Sequence, residues 1–261
     1  MQAALPDFVA RRTDPTQRYG LRLTLAVVAL VLVAVPFSYL LFEVLGGGPI
    51  TRLDGDVADR LNATVHGHDG WVGVLQAISW LGRPPTLWLA TGVGVVVTWR
   101  HGARRLTTFL VATTLGGGVL STAVKVLVDR PRPEVDHPIV TAFGKSFPSG
   151  HALSSTVVFG ALLLAFLPVV RGRHRHLAVG LVVALVLAIG SSRVLLGVHF
   201  LSDVLAGYLL GLAWLLAATA VFETWRVERG RRPSHPLEEG VEPEAASALT
   251  RPAEGATAQR A

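Results

Sequence analysis

Three short polar clusters, at 125–133, 147–151 and 192–203, stand out in a chain that is 51% hydrophobic and only 16% charged. The third cluster contains His199 and Asp203, which are four residues apart and therefore share one face of a helix. A carboxylate in that position can hold one ring nitrogen of the histidine and leave the other nitrogen free to attack. An ordinary surface pair is the alternative. The spacing favours a histidine that acts as a nucleophile or a base.

Positive side chains near this pair could bind an anion. Lys125 and Arg132 are seven residues apart at the end of an apolar segment, and Arg193 lies six residues before His199. A charge near the centre of a membrane costs about 3 kcal/mol, so such a side chain must reach the interface or face an anion. Anchoring at the membrane interface is therefore the alternative for Lys125 and Arg132.

The second cluster reads Phe-Pro-Ser-Gly-His and opens another apolar segment. The unpaired N–H groups at the start of a helix attract anions, and Gly150 lets the backbone approach a ligand closely. Ser149 can bind an oxygen or simply cap the helix, and an interfacial position is the alternative for His151. This cluster alone leaves both alternatives open.

Together the three clusters contain cations for phosphate oxygens, backbone N–H groups, two histidines and an orienting carboxylate. These groups suffice for phosphoryl transfer, in which positioning and charge stabilisation supply most of the catalysis. The chain has no cysteine, which rules out thiol catalysis and cysteine metal sites. The sequence therefore predicts a phosphatase that uses neither a metal ion nor another cofactor.

The pattern Lys-x6-Arg-Pro, Pro-Ser-Gly-His and Ser-Arg-x5-His-x3-Asp resembles the type 2 phosphatidic acid phosphatase family, which is similar to vanadium haloperoxidases and glucose-6-phosphatase. All eleven specified residues are present. The resemblance implies a phosphohistidine mechanism in which His199 attacks phosphorus, Asp203 orients it and His151 protonates the leaving oxygen. It also implies that the phosphate oxygens are held by Lys125, Arg132, Ser149, Gly150 and Arg193.

Apolar runs approach the roughly 20 residues that are needed to cross a bilayer. The sequence predicts an all-α membrane protein with six spans, at 23–45, 86–99, 106–128, 151–170, 176–191 and 202–222. The second span is short. It either extends into Trp71–Leu81 or leaves that segment as an amphipathic helix along the interface.

The distribution of positive charge predicts an orientation, because Lys and Arg near span ends stay in the cytoplasm. Placing both termini in the cytoplasm puts most of the 24 Lys and Arg residues there. The three clusters then share the extracytoplasmic face of the cell membrane. Because the arginines are spread over short loops, their charge indicates topology and not nucleic-acid binding.

The chain divides into a cytoplasmic segment at 1–22, a membrane phosphatase domain at 23–225 and a tail at 226–261 whose composition predicts disorder. Phosphatidate, phosphatidylglycerol phosphate, a polyprenyl diphosphate and a sphingoid phosphate suit the predicted site about equally as substrates. A transporter or flippase of phospholipid-like molecules is the alternative function, and it predicts paired broken helices with charges near mid-span.

Other polar residues near the clusters have weaker interpretations. Asp54, Asp56 and Asp59 form an acidic stretch that is predicted to be solvated and not to bind a metal. Asp129 and Arg130 adjoin the first cluster and could tune it.

Overall fold

The computed structural model describes residues 21–135 and 139–250. Residues 1–20 and 251–261, which belong to the predicted N-terminal segment and tail, lie outside the described residues. The described chain is helical and contains no strand. Its helices are α1 Leu21–Gly46, α2 Pro49–Val65, α3 Asp69–Leu81, α4 Pro84–Arg100, α5 Arg104–Val128, α6 Gly150–Phe166, α7 His174–Leu195, α8 Leu201–Glu228, α9 Pro236–Glu239 and α10 Ala245–Leu249.

Four of these helices are long and apolar enough to cross a membrane: α5, α6 with the short 3-10 turn that follows it, α7 and α8. A fifth candidate consists of Val33–Gly46 and Pro49–Val65, which are bent by 85° at their junction. Gly47 has a positive φ of 63° there, and Pro49 opens the next helix. The all-α membrane fold is confirmed. Six spans remain a prediction, since α4 has only 17 residues.

Helix α3 is separate from α4 and packs against α7. It ends at Leu81, and α4 begins at Pro84 after a short turn. The predicted second span therefore does not continue unbroken into the segment before it. This turn lies beside the second polar cluster, since Gly82 packs against the ring of His151.

Helix α6 is the centre of the bundle and packs against α4, α5, α7 and α8. In its most apolar stretch of 18 residues, a share of 56% is buried inside the protein, whereas the share is 22–33% in the other three candidate spans. Two glycines of α8 allow this close packing. A Cβ at Gly207 would lie 2.7 Å from the carbonyl oxygen of Ser149, and one at Gly211 would lie 2.9 Å from that of Leu153. The start of α8 is thereby held against the start of α6.

The structure differs from the predicted disorder of the tail over residues 226–250. Glu244 binds the buried guanidinium of Arg226 through both carboxylate oxygens, one of them 2.8 Å from Nη1. The Val241 N–H donates to the carbonyl oxygen of Leu164 at 3.1 Å, and Val241 is 5% exposed. A few apolar tail residues are enough to order this segment, because they pack against a hydrophobic core that the long helices already form.

Candidate active site

The three polar clusters meet at one end of the bundle, where α5 ends, α6 begins and a linker joins α7 to α8. The Ser149 N–H donates to the carbonyl oxygen of Asp203 at 2.9 Å. A Cβ at Gly150 would lie 3.6 Å from Cε of Lys125, so the lysine side chain passes the start of α6. The structure thus brings together residues from all three clusters.

His199 and Asp203 form a buried pair. Nδ1 of His199 lies 3.3 Å from Oδ2 of Asp203, and the two residues are 1% and 0% exposed. The same carboxylate oxygen accepts the Phe200 N–H at 3.0 Å, which fixes it at the start of α8. A proton on Nδ1 satisfies the carboxylate and leaves the lone pair on Nε2; this tautomer is assigned from the hydrogen bonds.

Burial lowers the pKa of His199 to about 4, although the hydrogen bond and charge of Asp203 act in the opposite direction. The imidazole is therefore uncharged at neutral pH. An uncharged ring with its Nδ1 proton directed at a carboxylate is the form that can attack through Nε2.

Arg132 lies next to that attacking nitrogen. Its Nη1 is 3.1 Å from Nε2 of His199. The guanidinium is held by backbone carbonyl oxygens, donating to Val198 at 2.7 Å, to Gly144 at 3.0 Å and to Phe143 at 3.1 Å. With the proton on Nδ1, the Arg132 N–H donates to Nε2, so an anion bound at this nitrogen would replace that hydrogen bond and lie beside a fixed positive charge.

Asp203 has a second partner on the side away from His199. Nη1 of Arg130 donates to Oδ1 of Asp203 at 2.6 Å, and Nη2 donates to Oδ2 of Asp54 at 2.8 Å. The N–H of Ser202 donates to the other oxygen of Asp54 at 3.0 Å, and its hydroxyl also donates to this carboxylate. Two carboxylates therefore share one buried guanidinium behind the His199–Asp203 pair.

The prediction that Asp54 is solvated is wrong, since this residue is 2% exposed. The spacing along α2 contains the signal that could have found it. The buried face of this helix consists of Asp54, Ala58, Asn62 and Val65, at helical spacing. Asp56 and Asp59 lie off that face and are exposed, as predicted. Asp129 is also exposed and pairs with Lys145 at the surface.

Lys125 and Arg193, two further predicted phosphate ligands, donate hydrogen bonds to residues outside the three clusters. Nζ of Lys125 donates to the carbonyl oxygen of Lys145 at 2.9 Å. Nη1 of Arg193 donates to Oγ of Ser79 at 2.6 Å, across 114 residues of sequence. Ser79 belongs to α3 and is a contact that sequence patterns did not indicate, because a single buried serine in an apolar helix has no distinctive spacing.

The second cluster contains a helix-capping serine and a histidine whose ring nitrogen has no partner among the described residues. Oγ of Ser149 accepts the Ala152 N–H at 3.5 Å, so this serine caps α6 whatever else it binds. Nε2 of His151 is buried and has no hydrogen-bond partner among the described residues. A Cβ at Gly82 would lie 3.0 Å from Cδ2 of His151, so the turn after α3 packs against the ring. This nitrogen thus has no hydrogen-bond partner among the described residues, and His151 lines a cavity.

A cavity of about 350 Å³ has His151 in its wall and lies between α4, α5 and α6. Its lining includes Leu87, Trp88, Gly117, Val157 and Val158. None of the described residues that line it is an Asp, Glu, Lys or Arg. A volume of this size with apolar walls is typical of sites for small apolar ligands or parts of larger ones.

The fold and the site define an all-α integral membrane protein in which a buried histidine–carboxylate pair contacts two arginines, Arg130 and Arg132. Residues 105–226 match the family model of the PAP2 superfamily, and this part of the chain belongs to that superfamily. The matched region contains all three polar clusters. Asp54, Ser79 and Gly82 lie outside it.

Three curated relatives have similar sequences. Phosphatidylglycerophosphatase B of Bacillus subtilis is 35% identical over 36% of this chain and 47% of its own length. Decaprenylphosphoryl-5-phosphoribose phosphatase of Mycobacterium tuberculosis is 35% identical over 54% of this chain and 66% of its own length. Lipid A 1-phosphatase of Rhizobium etli is 31% identical over 43% and 48%. The chain therefore spans about half to two thirds of these relatives.

A solved structure is similar over most of the chain. It is the PAP2-type phosphatidylglycerolphosphate phosphatase from Bacillus subtilis, with a TM-score of 0.65 at 22% sequence identity. The match covers 78% of this chain and 98% of the other. At that identity the similarity establishes the fold of the chain.

Proposed function

We propose that the chain is an integral membrane phosphatase that hydrolyses a phosphate monoester or diphosphate of a lipid. The observation that carries the proposal is the buried His199, with Nδ1 at Asp203 and Nε2 at 3.1 Å from Nη1 of Arg132. An oriented, unprotonated nitrogen beside a fixed cation suits attack on phosphorus. Phosphate monoesters hydrolyse extremely slowly without a catalyst, so such positioning is what the reaction requires.

The reaction has two steps. Nε2 of His199 attacks phosphorus, and the bond from phosphorus to the leaving oxygen breaks. His151, which enters this step as an imidazolium, gives that oxygen a proton and becomes neutral. The Nδ1–H remains hydrogen-bonded to Asp203, whose charge stabilises the phosphorylated ring. Water then attacks phosphorus and gives a proton to His151 as the phosphorus–nitrogen bond breaks and inorganic phosphate leaves. The oxygens are held throughout by Lys125, Arg132, Ser149, Gly150 and Arg193.

A lipid substrate is supported by the apolar cavity beside His151 and by the names of the relatives. A leaving group whose hydrocarbon chain lies in that cavity would keep its phosphate at His199. Phosphatidate, phosphatidylglycerol phosphate and a polyprenyl diphosphate all have this form.

Phosphate release from these lipids by the purified protein tests the proposal. His199→Ala should abolish release and the acid-labile phosphoenzyme, while His176→Ala, at an exposed position on α7, should retain both. An unchanged phosphoenzyme in His199→Ala would refute the role of this residue. Activity on soluble sugar phosphates alone would refute the lipid assignment.

We further propose that the site faces the extracytoplasmic side of the cell membrane and that both termini are cytoplasmic. The positive residues of the α4–α5 and α6–α7 connections lie at the end of the bundle opposite to the site, as retention in the cytoplasm predicts. The chain lacks cysteine, so single cysteines can report the orientation. Phe143→Cys, at a 90% exposed position near the site, should react with a membrane-impermeant maleimide in intact cells. Arg173→Cys should react only after lysis, and the reverse result would invert the topology.

A further inference from the structure

A second, smaller cavity of about 130 Å³ lies beside the site, between α3, the turn after it and the end of α7. It is lined by Gln76, Ser79, Arg83, Val140, Arg193 and Leu196. No described residue in this lining is an Asp or Glu, whereas two are arginines. At about 30 Å³ per water molecule, the volume holds about four waters, which is room for a phosphoryl group.

The charge of Arg193 is not compensated within the described chain. Arg193 is 6% exposed, its Nη1 donates to the neutral Ser79, and its buried Nε has no acceptor among the described residues. No carboxylate of the described residues forms an ion pair with Arg193. In the proposed function the reacting phosphate binds this guanidinium. Because Arg193 also lines the small cavity and its Nε has no acceptor among the described residues, an anion in that cavity would share its charge and lower the cost of burying it.

Arg83 supplies the second positive charge. It is the N-cap residue of α4, where the helix dipole disfavours a cation, so helix stability does not explain it. It directly follows Gly82, which packs against the ring of His151. It lines the same small cavity as Arg193. Arg83 therefore lies on the His151 side of the site.

We propose that Gln76, Arg83 and Arg193 form a second anion subsite, which receives a phosphoryl group on the leaving-group side of the scissile bond. This inference rests on the proposed function, in which His151 protonates the leaving oxygen. The preferred substrate then carries two phosphoryl groups, as a diphosphate or as a monoester and a phosphodiester on one headgroup. Phosphatidate, whose only phosphate is the one removed, leaves the subsite empty.

Kinetics with three lipids tests the subsite: a polyprenyl diphosphate, phosphatidylglycerol phosphate and phosphatidate. Arg83→Gln should lower kcat/KM for a substrate with two phosphoryl groups, relative to phosphatidate, by about tenfold, the loss expected for one charge-assisted hydrogen bond. The matched control Arg52→Gln changes an exposed arginine of α2 outside both cavities and should leave the ratio unchanged. If kcat/KM falls more for the polyprenyl diphosphate, the subsite binds the second phosphoryl group of a diphosphate. If it falls more for phosphatidylglycerol phosphate, the subsite binds a phosphodiester. An unchanged ratio for both, or an equal loss for all three lipids, overturns the proposal.

Calorimetric binding measurements distinguish an error in the subsite proposal from an error in the proposed function. If the wild type hydrolyses none of the lipids, the phosphatase proposal fails, and calorimetry still decides the subsite. Methylenebisphosphonate should bind about tenfold more weakly to Arg83→Gln than to the wild type, with a smaller change for methylphosphonate. Equal changes for both ligands, or no change, would overturn the subsite.

Discussion

Replacing Asp54 by Asn should slow turnover while leaving substrate binding nearly unchanged. Asp54 and Asp203 share the guanidinium of Arg130, at 2.8 Å and 2.6 Å. These three side chains together therefore carry one net negative charge next to His199. Asparagine keeps the shape and an acceptor for the Ser202 N–H, but it removes that net charge.

The size of the effect follows from the charge that develops on His199. When Nε2 bonds to phosphorus, the ring becomes positive and gains from the negative charge behind it. A unit charge about 8 Å away, at an effective dielectric constant of about 20, contributes about 2 kcal/mol. This energy corresponds to about a 30-fold lower kcat. KM should change by less than about threefold, because Asp54 contacts none of the groups proposed to hold the phosphate.

Initial rates and phosphohistidine formation, measured per folded molecule, provide the assay. Asp56→Asn is the matched control, because it removes an exposed carboxylate from the same helix and should not alter kcat. A role in folding alone would lower the yield or the melting temperature and leave kcat of the folded fraction intact. An unchanged kcat in folded Asp54→Asn, a loss confined to KM, or the same loss in Asp56→Asn would refute the reasoning.

Further expected results concern the nucleophile, its orientation, metal independence and the tail. Asp203→Asn should lower kcat by roughly 10³-fold or more with lipid binding retained, because an amide favours the wrong tautomer of His199; loss of binding instead would contradict this. In NMR titrations of the substrate-free protein, His199 should stay uncharged down to about pH 5, since burial lowers its pKa to about 4; a midpoint near the ordinary value of about 6.5 is the opposing result. Chelators should leave turnover unchanged and orthovanadate should inhibit it, whereas dependence on added Mg²⁺ would count against the mechanism. Arg226→Ala should lower the melting temperature by about 4–8 °C through loss of its pair with Glu244, without changing kcat/KM; unaltered stability would show that the tail contact is unimportant.

The helices that form the bundle were largely predictable from the sequence. The runs at 106–128 and 202–222 fall within α5 and α8, because a segment in an apolar medium must satisfy its backbone groups through local hydrogen bonds. Composition over about 20 residues therefore decides the structure there. The bend between α1 and α2 was missed, although Gly47 and Pro49 mark it.

The polar clusters were also predictable from short stretches of sequence. His199 and Asp203 are four residues apart, and Ser149 opens an apolar run, so spacing alone indicates which side chains share a face or a helix start. The structure brings these groups to one end of the bundle. Their catalytic roles remain predictions that the experiments above test.

What the sequence determined by itself was thus the helical membrane fold and the residue types of a phosphoryl-transfer site. Only the tertiary structure decided which polar groups support that site. Asp54 meets Arg130 across 76 residues, and Ser79 meets Arg193 across 114. Arg226 likewise finds Glu244 in a segment whose composition predicts disorder. A buried polar group needs a partner, but packing among several helices determines which one, and local spacing contains no information about that choice.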